Sequence, residues 1–92
     1  MDPRRKKLKY RAWRRGFVEA DLILGPFADA HLEGLDEAGL DHFEVLLDQP
    51  DHDLYAWIVG QADPPQAFDV PVLALIRQFR FDARLARANL GA

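Results

Sequence analysis

The chain has 92 residues, 49% of them hydrophobic and 11% aromatic, with a formal net charge of −3. A domain of that size buries roughly 60 to 70% of the surface its unfolded chain exposes, so one modest core is expected rather than two. The absence of cysteine excludes disulfides, thiolate metal sites, iron–sulfur clusters and a thiol nucleophile, and the absence of Ser and Thr removes hydroxyl nucleophiles.

Eight of the twelve cations lie between Arg4 and Arg15, opposed there only by Asp2. No Lys or Arg follows from Phe17 to Ile76, whereas thirteen carboxylates fall between Glu19 and Asp69. Electrically the chain is a short positive arm on a negative body. Residues 4 to 15 contain no Gly or Pro and are rich in Arg, Lys and Ala, which predicts a basic helix. Gly16 suits the left-handed residue at a helix end, so this helix is expected to stop there with Arg14 and Arg15 in its last turn, where cations complement the macrodipole. A helix starting directly afterwards places Glu19 in its first turn, beside free backbone N–H groups. Each residue of Arg15-Gly16-x-x-Glu19 therefore has a structural reading. Trp13, flanked by Arg11, Arg14 and Arg15, is expected to be more exposed than Trp57.

The second helix is expected over about Phe17 to Leu32, with Phe17, Ala20, Leu24, Phe27 and His31 as its core stripe. Val18, Leu22 and Ile23 are apolar as well, more than one buried face requires, so the helix is either central to a bundle or carries an exposed contact surface; centrality is the favoured reading. Gly25-Pro26 predicts a kink, or alternatively a break into two helices. A third helix runs from Asp36 as N-cap to about Asp48, with Leu40, Phe43, Leu46 and Leu47 inward. Its outer stripe of Glu37, Asp41, Glu44 and Asp48 repels itself and reads as a solvated face rather than a site for a basic partner. A short fourth helix, from about His52 to Val59, turns Leu54, Trp57 and Ile58 inward and is stopped by Gly60. Gln61 to Gln66, with Pro64-Pro65, is an ordinary interhelical loop. The fifth helix begins near Asp69 and runs past Arg87; Val72, Ile76, Phe79 and Ala83 make its inner stripe, and Arg77, Arg80, Arg84 and Arg87 another. The whole is predicted to be all-α: a small single-domain bundle of about five helices over residues 1–92, a basic helix at about 4–15 preceding a helical body over 17–88.

Several kinds of chemistry are not supported. His31, His42 and His52 lack the i, i+4 spacing of helical zinc sites. The glycines never cluster into a phosphate loop, so no cofactor site is expected in the chain itself. The longest apolar runs, Leu22 to Ala28 and Val70 to Ile76, have seven residues each, against roughly 18 needed to cross a bilayer. The basic N-terminus is followed neither by an apolar signal core nor by room for a removable presequence before the motif, and a bacterial cytoplasmic protein is expected.

Arg14-Arg15-Gly16-Phe17-Val18-Glu19, with Asp21 and then Pro26-Phe27, resembles the signature of the succinate dehydrogenase assembly factors, also called flavinylation factors. Phe43 with Leu46-Leu47, then Asp53-Leu54 and Trp57, fall in the order and spacing expected of that family's third and fourth helices, so the resemblance covers roughly residues 10 to 80. Ala20 departs from it, standing where a larger aliphatic residue is expected. The resemblance implies a non-enzymatic protein that binds the flavoprotein subunit of succinate dehydrogenase, often also of fumarate reductase, and promotes covalent attachment of FAD to a histidine there. The flavin then belongs to the partner, and no cofactor, metal, nucleic acid or membrane insertion is implied for this chain. Carried over residue by residue, Arg15, Gly16 and Glu19 are the contact set, with Arg14 and Asp21 as neighbours. Arg15 can fork two hydrogen bonds onto a carboxylate or carbonyls, Gly16 lets another backbone approach, and Glu19 supplies acceptors.

Two other readings come from the residues alone. The basic arm, with Tyr10 and Trp13 among its cations, could neutralise phosphates as a nucleic-acid binder. Against this, the chain from Phe17 onward carries four cations and fourteen carboxylates, which repel a polyanion within about 8 to 10 Å. A small regulatory bundle is the third reading, since architecture does not fix function.

Overall fold

A computed structural model describes residues 2–91, with side chains through residue 86. Its elements are α1 (Pro3–Trp13), α2 (Val18–His31), α3 (Glu37–Leu47), α4 (Asp51–Val59) and α5 (Pro71–Gly91), with single 3-10 turns at Leu32–Gly34 and Gln66–Phe68. Among the described residues there is no strand, and the all-helical expectation holds.

Local chemistry accounts for most helix ends. At α1 the Asp2 carboxylate accepts the Arg5 N–H at 2.9 Å and Pro3 occupies the first turn, where its missing N–H costs nothing. Asp36 caps α3 by accepting the Gly39 N–H at 2.8 Å. Gly60 closes α4 at φ +83°, a conformation a side chain would strain. α2 has no side-chain cap; the Phe17 carbonyl instead receives the N–H groups of Ala20 and Asp21, both at 3.0 Å.

One core joins all five helices. Phe27 of α2 sits at its centre, fully buried against Phe43 of α3, with ring centroids 5.7 Å apart, and edge-on to Phe79 of α5 at 5.8 Å. Burying a side chain of that size stabilises the fold by about 2 to 3 kcal/mol. Leu8 and Ala12, one turn apart, bury the inner face of α1. Leu54, Trp57 and Ile58 do so for α4, and Phe68 stacks on Trp57 at 5.3 Å, folding the interhelical loop back on the body.

Several expectations are corrected. α1 ends at Trp13, not at Gly16, because Arg14 and Arg15 are drawn off the helix into a bend. α2 runs unbroken through Pro26, so the alternative of two separate helices there is the reading that fails. The carbonyl four residues back belongs to Leu22, a residue on the exposed side of the helix, so the missing proline donor falls on the solvent side of α2. His31 is exposed rather than core, its ring laid on Phe27 and against Phe79. Ala83 is exposed too, as are all of residues 81–86 of α5. Val18 and Leu22 are each 64% exposed, so α2 is central and also carries an outward apolar stripe.

The acidic stripe of α3 is not simply solvated. Arg4 reaches across from α1 to Glu37 at 3.2 Å, Asp41 at 2.5 Å and Glu44 at 3.1 Å, and Arg11 reaches Asp48 at 2.6 Å. Hydrogen bonds to Asp41 and then Glu44 raise the Arg4 pKa above its ordinary value. The basic partner of the acidic face is the chain's own first helix. Exposed pairs of this kind contribute little each, and they chiefly fix the register of α1 on α3.

Candidate partner-binding site

The bend between α1 and α2 is built around Arg15. Its side chain is only 9% exposed, and its Nε donates to the Asp51 carboxylate at 2.7 Å. The two terminal nitrogens donate to the carbonyls of Leu47 and, at 2.6 Å, Gln49. One guanidinium thus caps the C-terminal end of α3 and meets a carboxylate in the first turn of α4. The Arg15 backbone N–H donates to Asp21 Oδ1 at 3.1 Å, fastening the bend to α2. Phe17 completes the seat, edge-on to His52 at 5.1 Å and Tyr55 at 5.4 Å.

Gly16 stands at the apex of this bend with φ +85°, and a Cβ added there would meet nothing within 4 Å. The positive φ agrees with the sequence reading, although the residue lies beyond the helix cap and not at it. Glu19 is exposed in the first turn of α2, where a carboxylate suits the positive end of the helix dipole. Arg14 is exposed as well, its guanidinium 4.7 Å from the centre of the Tyr10 ring, a cation–π contact that holds it along α1. Together Tyr10, Arg11, Arg14, Arg15 and Asp51 line an open cleft of about 290 Å³ beside the bend. Of the five residues singled out from the sequence, Arg15 and Asp21 are engaged within the fold, while Arg14, Gly16 and Glu19 face outward. Among the described residues no cluster of three or more His, Asp or Glu side chains is placed to hold a metal ion.

Two supports of the bend escaped the sequence reading. Asp51, which the sequence did not single out, is the carboxylate that Arg15 meets. Gly25 lies under Trp13: a Cβ there would come within 2.3 Å of the indole ring. Trp13 Nε1 also donates to Asp29 at 3.2 Å. A glycine inside a helix that follows a tryptophan-bearing helix was the available signal, since such glycines mark close approach.

Residues 6–80 match the family model described as flavinator of succinate dehydrogenase. The chain is 42% identical, over 73 residues, to a protein of Dictyostelium discoideum named succinate dehydrogenase assembly factor 2, mitochondrial; this covers 79% of the chain and 52% of the relative. A protein of Debaryomyces hansenii with the same name is 40% identical over 63 residues, 68% of the chain and 44% of the relative. The FAD assembly factor SdhE of Acetobacter pasteurianus is 33% identical over 86 residues, 94% of the chain and 76% of the relative. The chain spans about half the length of the mitochondrial relatives it matches. With the match running from α1 through the Arg15–Gly16 bend and into α5, the chain belongs to the family of flavinators of succinate dehydrogenase.

Proposed function

We propose that this chain binds the flavoprotein subunit of succinate dehydrogenase and promotes covalent attachment of FAD to it, acting as a chaperone and not as an enzyme. The flavoprotein of fumarate reductase is a second client, and the FAD is held by the client. The observation that carries the reading is the outward apex at Gly16, a left-handed backbone knuckle with open space around it, set beside the exposed Glu19. A partner backbone approaches Gly16 without meeting a side chain, while Glu19 and Arg14 supply an acceptor and a donor on either side. Arg15 and Asp21 act beneath this surface, holding the knuckle in one conformation so that little ordering entropy is spent on binding.

The nucleic-acid reading is not favoured. Arg4, Arg5, Lys9, Arg11 and Arg15 are tied to carboxylates of the same chain, which takes most of the basic arm out of play for phosphates. No helix among the described residues is long and apolar enough to cross a membrane. A bacterial cytoplasmic setting is part of the proposal, supported by the likeness to the Acetobacter protein.

The test pairs Gly16→Arg with Gly16→Ala. Purified flavoprotein subunit is captured on each variant, and its covalent flavin is read by in-gel fluorescence. Gly16→Arg is expected to stay folded and to lose both capture and flavin attachment, with Gly16→Ala, Glu19→Ala and Arg14→Ala weaker in the same direction. Normal flavin attachment by a folded Gly16→Arg variant overturns the contact role of the knuckle.

A further inference from the structure

The outward stripe of α2 does not end at Glu19. Val18 and Leu22 continue it one helical turn further, and beyond them α2 and α5 enclose a cleft of about 260 Å³ lined by Leu22, Ile23, Phe79, Arg80, Ala83 and Arg84. Its floor is fixed, since Phe79 is wedged against Phe27 and His31 with centroids 5.8 Å and 5.6 Å away. Its rim is cationic. Arg80 and Arg84, one turn apart on α5, make no ion pair among the described residues, in contrast to the paired arginines of α1. On their other side Phe81 and Leu85 are 59% and 52% exposed.

We propose that this cleft is a second docking point, taking an amphipathic segment of the client flavoprotein that inserts apolar side chains over Leu22 and Phe79 and presents carboxylates to Arg80 and Arg84. The inference rests on the proposed function, because it assigns the cleft to the same client. Two features select this occupant. The cleft lies on the same face of α2 as Glu19, about one turn away, so a partner seated on the knuckle meets it without changing direction. Its charge is complementary to an acidic segment: guanidinium groups beside an apolar floor bind carboxylates more strongly than they do in open water. An anionic membrane fits less well, because the surface is concave and stands on a body dominated by carboxylates. A second copy of the chain brings that same negative body with it.

The test measures the Kd of the full chain for purified flavoprotein subunit, across a salt series, for wild type, Leu22→Asp, the double variant Arg80→Glu/Arg84→Glu, and Gly16→Arg. Leu22 and Arg84 are exposed, and Arg80 is half-buried with no hydrogen-bond or ion-pair partner among the described residues, so these substitutions are expected to leave the melting temperature close to wild type. Leu22→Asp should raise Kd at least about tenfold, as loss of an interface anchor does. The double charge reversal should raise Kd about tenfold and flatten its salt dependence, mainly by slowing association. If both cleft variants bind like wild type while Gly16→Arg does not, the cleft inference fails and the knuckle reading stands. A wild-type chain that does not bind the flavoprotein sinks both. Sedimentation with phosphatidylglycerol vesicles, or concentration-dependent dimers, abolished by the cleft variants would overturn the proposal in favour of a lipid surface or a second copy.

Discussion

The underside and the crown of the α1–α2 bend use the same residue types for opposite ends. Below, Gly25 is glycine because Trp13 occupies the place of a side chain. Above, Gly16 is glycine because the backbone is left-handed, and the space around it is empty. Arg15 is turned inward onto three acceptors, whereas Arg14 beside it lies along the surface on Tyr10. The contrast separates residues that make the bend from residues that the bend displays. In Arg15-Gly16-x-x-Glu19 the first builds, the last is shown, and Gly16 does both.

Arg15 carries the largest expected loss. Arg15→Ala strands the Leu47 and Gln49 carbonyls and leaves Asp51 unpaired, so a loss of about 3 kcal/mol in urea unfolding is expected, somewhat below the cost of a fully buried pair because Asp51 is 37% exposed on its side chain. Arg15→Lys should recover only part of this, lacking the planar fork. A variant as stable as wild type would move Arg15 to the display side. Next in size is Gly25→Ala, expected to cost about 2 kcal/mol by forcing Trp13 off α2. Combined with Trp13→Ala the two losses should be far from additive, and simple additivity would show that the indole and Gly25 are not in conflict.

Gly16→Ala should cost only about 1 kcal/mol, the strain of a Cβ at positive φ. Glu19→Ala should leave the melting curve nearly unchanged while lowering flavin attachment, which a purely structural role would not do. The smallest effect concerns acid. The Arg5 backbone N–H, followed by the Arg5 side chain, holds the Asp2 carboxylate below its ordinary value of 3.8. A depressed carboxylate stabilises the fold above that value, and its contribution fades as the pH falls through the folded-state value. Thermal midpoints of wild type and Asp2→Asn should therefore converge as the pH is lowered below the ordinary carboxylate value; a constant gap would mean the charge of Asp2 does not matter to α1.

Much of this division was legible in the chain and part was not. The inward faces of α3 and α4, the Asp36 cap and the turns at Gly16 and Gly60 follow from spacing and from residues with narrow conformational preferences. What escaped was pairing between segments far apart in sequence. Glu37, Asp41 and Glu44 repel one another when α3 is considered alone, and only the docked α1 brings Arg4 over them. The early end of α1 has the same origin, since nothing local reveals that Arg15 will leave its helix to cap α3. Ala83 continues a helical period faithfully, but it lines the open cleft between α2 and α5 and is left exposed.

Because the Arg15 guanidinium touches the end of α3, the link after it and the start of α4, while its backbone is held by α2, these pieces cannot come apart one at a time. Opening the bend exposes the α3–α4 turn in the same event. Amide hydrogens around Arg15 to Asp21 and those of the first turn of α4 should accordingly exchange with deuterium as one cooperative unit, governed by a single opening free energy. The surface proposed for a partner thus inherits the protection of the core beneath it, although Gly16 itself stands in open solvent.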